Sequence, residues 1–140
     1  MKDFLFRQVH PTHFKNGLSS GAFRPTPNDG DMLSVDCGNM TTPEASYNLH
    51  LTKTKLLADG SRVPLETAGA WAVTRELCAS NGLPVSADPV SGSALQPDNA
   101  AHHLVDFSGI AGNPPKKNNT VAKRLKQRAL EIGCLWPVGD

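Results

Sequence analysis

Met32-Leu33-Ser34-Val35-Asp36-Cys37 alternates apolar and polar side chains, and Thr42-Pro43-Glu44 follows shortly after it. Alternation puts one set of side chains on each face of an extended chain, the pattern of a half-buried strand. The second string supplies a hydroxyl to accept a free amide, a proline where no amide is needed, and an acid in the positive first turn. A helix is therefore expected from Pro43 to about Leu51. Strand and helix in direct succession set the expectation of an α+β fold, and the remaining segments are read outward from this pair.

Toward the N-terminus, Asp3 to Val9 is an aromatic and β-branched run stopped by His10-Pro11, which suits a first strand. From Pro11 to Asp31 turn formers dominate (Asn16-Gly17, Arg24-Pro25, Pro27, Asn28-Asp29-Gly30), predicting a structured loop with one short strand at Gly21 to Arg24. Toward the C-terminus, Lys53 to Thr67 is ambiguous around an Asp59-Gly60 turn. Ala68 to Thr74 reads as an inner strand, Thr74 caps a short helix from Arg75 to Ser80, and Asn81-Gly82 ends it. Leu83 to Ala87 is extended, Val90 to Asn99 is a polar loop, and Ala101 to Phe107 is a strand.

The last helix is the best defined. Asn119 or Thr120 caps it, Val121, Leu125, Ala129 and Ile132 share one face, and Gly133 closes it. Cys134 to Val138 is expected to return as an edge segment, limited by Pro137. Together these readings predict a single domain over residues 1–140: a mixed, mostly antiparallel sheet of about five short strands with two or three helices. A basic helix over 116–133 packs on that sheet.

The length of 140 residues fits one core, and 39% hydrophobic residues are enough to build it. No stretch approaches the roughly 18 apolar residues that cross a bilayer, and Met1 to Arg7 lacks the pattern of an export signal. Three cysteines, Cys37, Cys78 and Cys134, are widely spaced with no C-x-x-C pair, so reduced and mostly buried thiols in a cytoplasmic protein are expected. The net charge of +1 conceals an asymmetry: residues 1–115 carry 8 Lys/Arg against 11 Asp/Glu, whereas 116–140 carry 6 against 2.

Four constellations carry potential chemistry. Arg7, His10, Arg24 and Ser34 lie on or beside the first two strands, where they suit a phosphate or pyrophosphate held by charge-assisted hydrogen bonds. The competing reading has the two arginines bracing the loop through backbone carbonyls. Five histidines, His10, His13, His50, His102 and His103, lack metal-ligand spacing, and the last two point to opposite faces of a strand. No metal and no cofactor is expected. No G-x-S-x-G elbow, activated cysteine or phosphate-binding glycine loop is present, so no complete catalytic constellation is found. Lys116, Lys117, Lys123 and Lys126, with Arg124 and Arg128, give the last helix a cationic face able to meet phosphates without reading sequence. Aromatic stacking partners are lacking there apart from Trp136, and nucleic acid is not the expected partner.

Phe6-Arg7-Gln8-Val9-His10-Pro11, Ala22-Phe23-Arg24-Pro25-Thr26-Pro27 and Leu33-Ser34-Val35-Asp36, continued by Trp71-Ala72-Val73 and His102 to Phe107, resemble a group of short bacterial proteins of unknown function. The resemblance spans most of residues 5–107 and implies a bacterial cytosolic origin. It transfers no catalytic residue. The order of an Arg strand, a loop, a Ser strand and a T-P-E helix is also similar to the N-terminal half of ADP-ribosyl-transfer folds, as analogy of fold alone.

The function expected first is a non-enzymatic accessory module, immunity-like or antitoxin-like, binding another bacterial protein through the His10 to Asp31 loop as a monomer or weak dimer. The alternative is a phosphate or nucleotide site, or an ADP-ribosyl-transfer-like enzyme, built on Arg7, His10 and Ser34.

Overall fold

The computed structural model describes residues 3–25, 30–93, 96–110 and 114–138, without the side chains of 114–117. Its centre is a five-stranded sheet formed by β1 (Phe4–Gln8), β2 (Met32–Cys37), β5 (Ala70–Thr74), β6 (Val85–Ala87) and β7 (His102–Asp106), in the order β5-β1-β2-β7-β6. Every pairing is antiparallel, so the sheet is not mixed. A separate hairpin joins β3 (Thr54–Leu56) to β4 (Arg62–Pro64) through Asp59-Gly60, where Gly60 has φ 88°. That resolves the ambiguous segment as two short strands outside the main sheet.

The helices start where local chemistry puts them. In α1 (Pro43–Leu51) the Thr42 hydroxyl accepts from the Ala45 amide at 3.1 Å, and in α2 (Arg75–Ser80) Thr74 does the same for Leu77 at 3.2 Å. The third helix, α3 (Pro114–Ile132), begins earlier than its expected cap at Asn119 or Thr120. Pro114-Pro115 opens the helix and does not precede it, because the first turn has no amide partners to lose. Gly133, with φ 87°, closes it as expected.

One sheet face packs against α3. Leu5, Val9, Leu33, Val35, Val73 and Val105 meet Val121, Leu125 and Ala129 in a single buried cluster, with Ile132 only half-buried. The loop after β1 joins this core. The expected strand at Gly21 to Arg24 is instead a 3₁₀ turn, Ser20–Phe23, that lays Ala22 and Phe23 against α3. Ser19 caps the turn by accepting from the Gly21 amide at 3.2 Å, and this local bond replaces a ladder. Pro27 and Asn28-Asp29 lie outside the described residues. Cys37 and Cys78 are buried and Cys134 half-buried, all as free thiols. Among the described residues no helix is long and apolar enough to cross a membrane.

The opposite sheet face carries α1 and the β3–β4 hairpin. Beneath them β1 and β2 separate: they pair only at Leu5–Cys37 and Phe6–Asp36, whereas β1 pairs β5 at five positions.

Candidate functional site

The opening between β1 and β2 is occupied by Arg7. Its Nε donates to the Ala22 carbonyl at 2.9 Å and its Nη1 to the Ser34 carbonyl at 3.0 Å, tying the loop turn and β2 to β1. Bracing through carbonyls is thus what Arg7 does structurally. Its side chain also lines a cavity of about 610 Å³ with His10, His13, His50, Lys55 and Glu66. A second cavity of about 220 Å³, lined by Arg7, Ser34, Asp36, His50, Lys53 and His102 among others, shares Arg7, Gln8, His50 and Leu65 with the first. The two form one cleft under α1 and the hairpin.

Of the expected site residues, Arg7 and His10 meet in the larger cavity, and Arg7 and Ser34 in the smaller. Arg24 lines neither; its guanidinium is bonded to the Asn119 side chain of α3 and so braces the loop. His10 accepts from the Thr12 amide through Nδ1 at 3.1 Å while its Nε2 lies 3.7 Å from the Glu66 carboxylate. His102 faces the cleft and His103 is buried on the other face, its Nδ1 bonded to the Ala101 carbonyl at 2.9 Å, as the alternation of a strand requires. Among the described residues no group of His, Cys, Asp and Glu is arranged to hold a metal ion.

Three contributors were not placed in the cleft by the sequence, which offered His50 only as one of five histidines. His50 ends α1, and Lys53 and Lys55 follow it into β3, forty residues and more from Arg7 in the chain. The third is a buried hydrogen-bond chain beneath the cleft. Thr67 donates to Gln8 Oε1 at 3.0 Å, Gln8 Nε2 to Ser46 at 2.9 Å, and Ser46 to Asp36 Oδ2 at 2.6 Å. Asn99 completes it by donating to Asp36 Oδ1 at 2.9 Å. This chain fixes α1, β1, β2 and the loop before β7 to one another, which sets the width of the cleft.

Electrostatics follow from burial and from the cations. His50 is pushed down to about 4, first by burial, then by Lys53 and Arg7, with the Glu66 backbone and Asp36 opposing. His13 is lowered by burial, then by Arg7, His10 and Arg24. Both rings are therefore neutral at pH 7 in a cleft that carries Arg7, Lys53 and Lys55. Burial pushes the Cys78 thiol up to about 11, as suits a core residue.

A pH-dependent stability follows. Between pH 6.5 and about 4 the unfolded chain binds a proton at His50 that the folded chain refuses, so stability falls as pH drops through that window. After screening at a half-buried site the loss is about 1–2 kcal/mol. Chemical denaturation at pH 7 and pH 5 should show it, and His50→Gln should remove most of it. An unchanged pH dependence in that variant would assign the effect elsewhere.

On α3, Lys123 is exposed and Lys126 half-buried, Arg124 donates to Asn81 Oδ1 at 2.6 Å, and Arg128 lies 3.5 Å from Glu131. The side chains of Lys116 and Lys117 lie outside the described residues. Two of the helix's cations are thus engaged by neighbouring side chains of the protein itself.

Comparison with protein-family models, curated proteins and solved structures finds no match to this chain.

Proposed function

We propose that this protein is a bacterial cytosolic module that binds a small phosphate-bearing ligand, of nucleotide or pyrophosphate class, in the cleft beneath α1. The observation that carries the reading is the convergence of Arg7, Lys55, His10, His13 and His50 on one cavity of about 610 Å³. That volume suits a nucleotide-sized molecule. Arg7 is held by two backbone carbonyls and so presents its charge without further ordering cost. Neutral imidazoles beside it supply hydrogen bonds, and an arriving anion raises their proton affinity, so binding strengthens as pH falls from 7 toward 5. The three free thiols are in keeping with a reducing compartment.

The test is a thermal-shift series with inorganic phosphate, pyrophosphate, NAD and nucleoside mono- and diphosphates. A ligand at 100 times its Kd contributes about 2.7 kcal/mol, which raises Tm by several degrees. Lys55→Glu, a reversal at an exposed position, should weaken binding at least about tenfold while leaving the ligand-free Tm unchanged. No shift with any of these compounds would sink the reading.

A second reading, a protein partner, is favoured by Leu51, Leu56 and Leu57, exposed at 41%, 63% and 38% along the end of α1 and β3. Stoichiometric co-purification of a partner from the native host, lost in Leu56→Asp, supports it; recovery of the protein alone counts against it.

A further inference from the structure

The smaller cavity brings together two histidines with different surroundings. His102, at the start of β7, stands directly opposite Asp36, and its Nδ1 lies 3.0 Å from the Asp88 carbonyl and 3.1 Å from the Asp88 carboxylate. With two acceptors at Nδ1, that nitrogen carries a hydrogen, and Nε2 is the atom left for a ligand. His50 enters from the last turn of α1, one ring nitrogen engaged by the Glu66 backbone. Arg7 and Lys53 line the same cavity.

We propose that this cavity is an acid–base centre for a short ribonucleotide phosphodiester, with His50 as proton acceptor and His102, oriented by Asp88, as proton donor. The inference rests on the phosphate-binding reading above and names its chemistry. An ester that carries its own nucleophile, the ribose 2′-hydroxyl, asks only for a proton acceptor, a proton donor and positive charge near the phosphorus, and all three are contributed by this wall. The 2′-oxygen bonds to phosphorus as its proton passes to the unengaged His50 nitrogen. The P–O5′ bond breaks, and the departing oxygen takes the proton of His102 Nε2. The products are a 2′,3′-cyclic phosphate and a free 5′-hydroxyl, with no net proton, oxidant or reductant consumed. Arg7 and Lys53 offset the charge that accumulates on the non-bridging oxygens.

The electrostatics bear on His50. Burial and the cations Lys53 and Arg7 keep the His50 ring neutral at pH 7 against the pull of Asp36, and the negative charge of a bound diester offsets those cations as the ring takes up the proton. His10, His13, Lys55 and the Glu66 carboxylate share the adjoining cavity and complete the charged groups around it.

The experiment uses the whole chain with a dinucleoside monophosphate, uridylyl-adenosine, and its 2′-deoxy analogue. Wild-type protein should release the 2′,3′-cyclic nucleotide from the ribo compound and leave the deoxy compound intact. His50→Gln and His102→Gln should each lower kcat at least about 100-fold. Calorimetric binding of the uncleaved deoxy analogue should weaken in both variants by no more than about tenfold, under 1.4 kcal/mol, because each loses one contact to the ligand, so that the loss of kcat exceeds the loss of affinity. Lys53→Met should move the acid limb of the pH–rate profile toward neutrality, because the cation that depresses His50 is gone. Binding of the deoxy analogue without cleavage of the ribo compound overturns the catalytic inference and leaves the binding site standing, as does turnover that survives both histidine variants. Absence of binding overturns the site itself, and the inference with it.

Discussion

Replacing Phe23 by alanine is expected to cost about 3–5 kcal/mol, the largest single effect of any substitution in the loop that follows β1. Phe23 is fully buried, in a 3₁₀ turn pressed against α3, and belongs to the same buried cluster as Leu5, Leu33, Val105 and Leu125. Truncation removes an aromatic ring from a close-packed site whose walls are a sheet and a helix, neither able to collapse into the void. Urea unfolding should show the midpoint falling with little change in slope, and Tm should drop by more than about 10 °C. Phe14 in the same loop is the internal control. It is 39% exposed and rests on Trp71 with ring centroids 5.7 Å apart, so its removal should cost about 1 kcal/mol. Equal losses at the two positions would mean that the loop does not belong to the core.

Asp36→Ala is expected to cost about 3 kcal/mol, since it deprives two donors of their acceptor at once. Ser46 and Asn99 are 1% and 5% exposed, so neither can turn to solvent when the carboxylate is gone. Each stranded group carries a desolvation penalty of about 1–3 kcal/mol, and part of the sum is relieved by local adjustment. Asp36→Asn should recover roughly half of the loss, because an amide oxygen still accepts from one partner while its NH₂ meets the other donor. The double variant Asp36→Ala/Ser46→Ala should be less damaging than the sum of its parts, an interaction measurable in a double-mutant cycle. Strict additivity would show that the two side chains do not act as a pair.

The elements were readable where local chemistry decides them. Thr42 and Thr74 start helices because their hydroxyls accept from amides three residues on, Asn81 ends α2 by donating from its side chain to the Leu77 carbonyl, and the alternation of Met32 to Cys37 needs only a sheet face to pack on. Pro114-Pro115 misled because the same residues suit a linker and a first helical turn, and only the packing of α3 distinguishes them. The cleft was half legible. Arg7 and His10 could be singled out from their strand, but His50, Lys53 and Lys55 reach them through the path of α1 and the hairpin, which no local pattern encodes. Arg24 stood between two readings for the converse reason: a cation beside a phosphate and a cation that braces the loop against Asn119 have the same sequence. The chain from Gln8 through Ser46 to Asp36 and Asn99 joins residues up to 63 positions apart and leaves no trace in spacing.

The two flanks of the sheet are finished differently. Beside β5, the segment after α3 lies along Ala70, whose amide donates to the Trp136 carbonyl at 2.7 Å and whose carbonyl accepts from Leu135 at 2.9 Å. Among the described residues nothing pairs with the outer side of β6, three residues long. Among the described residues the cover beside β5 is a single bridge at Ala70, so it shields one end of β5, whereas on the other flank the shortness of β6 is what limits edge-to-edge pairing.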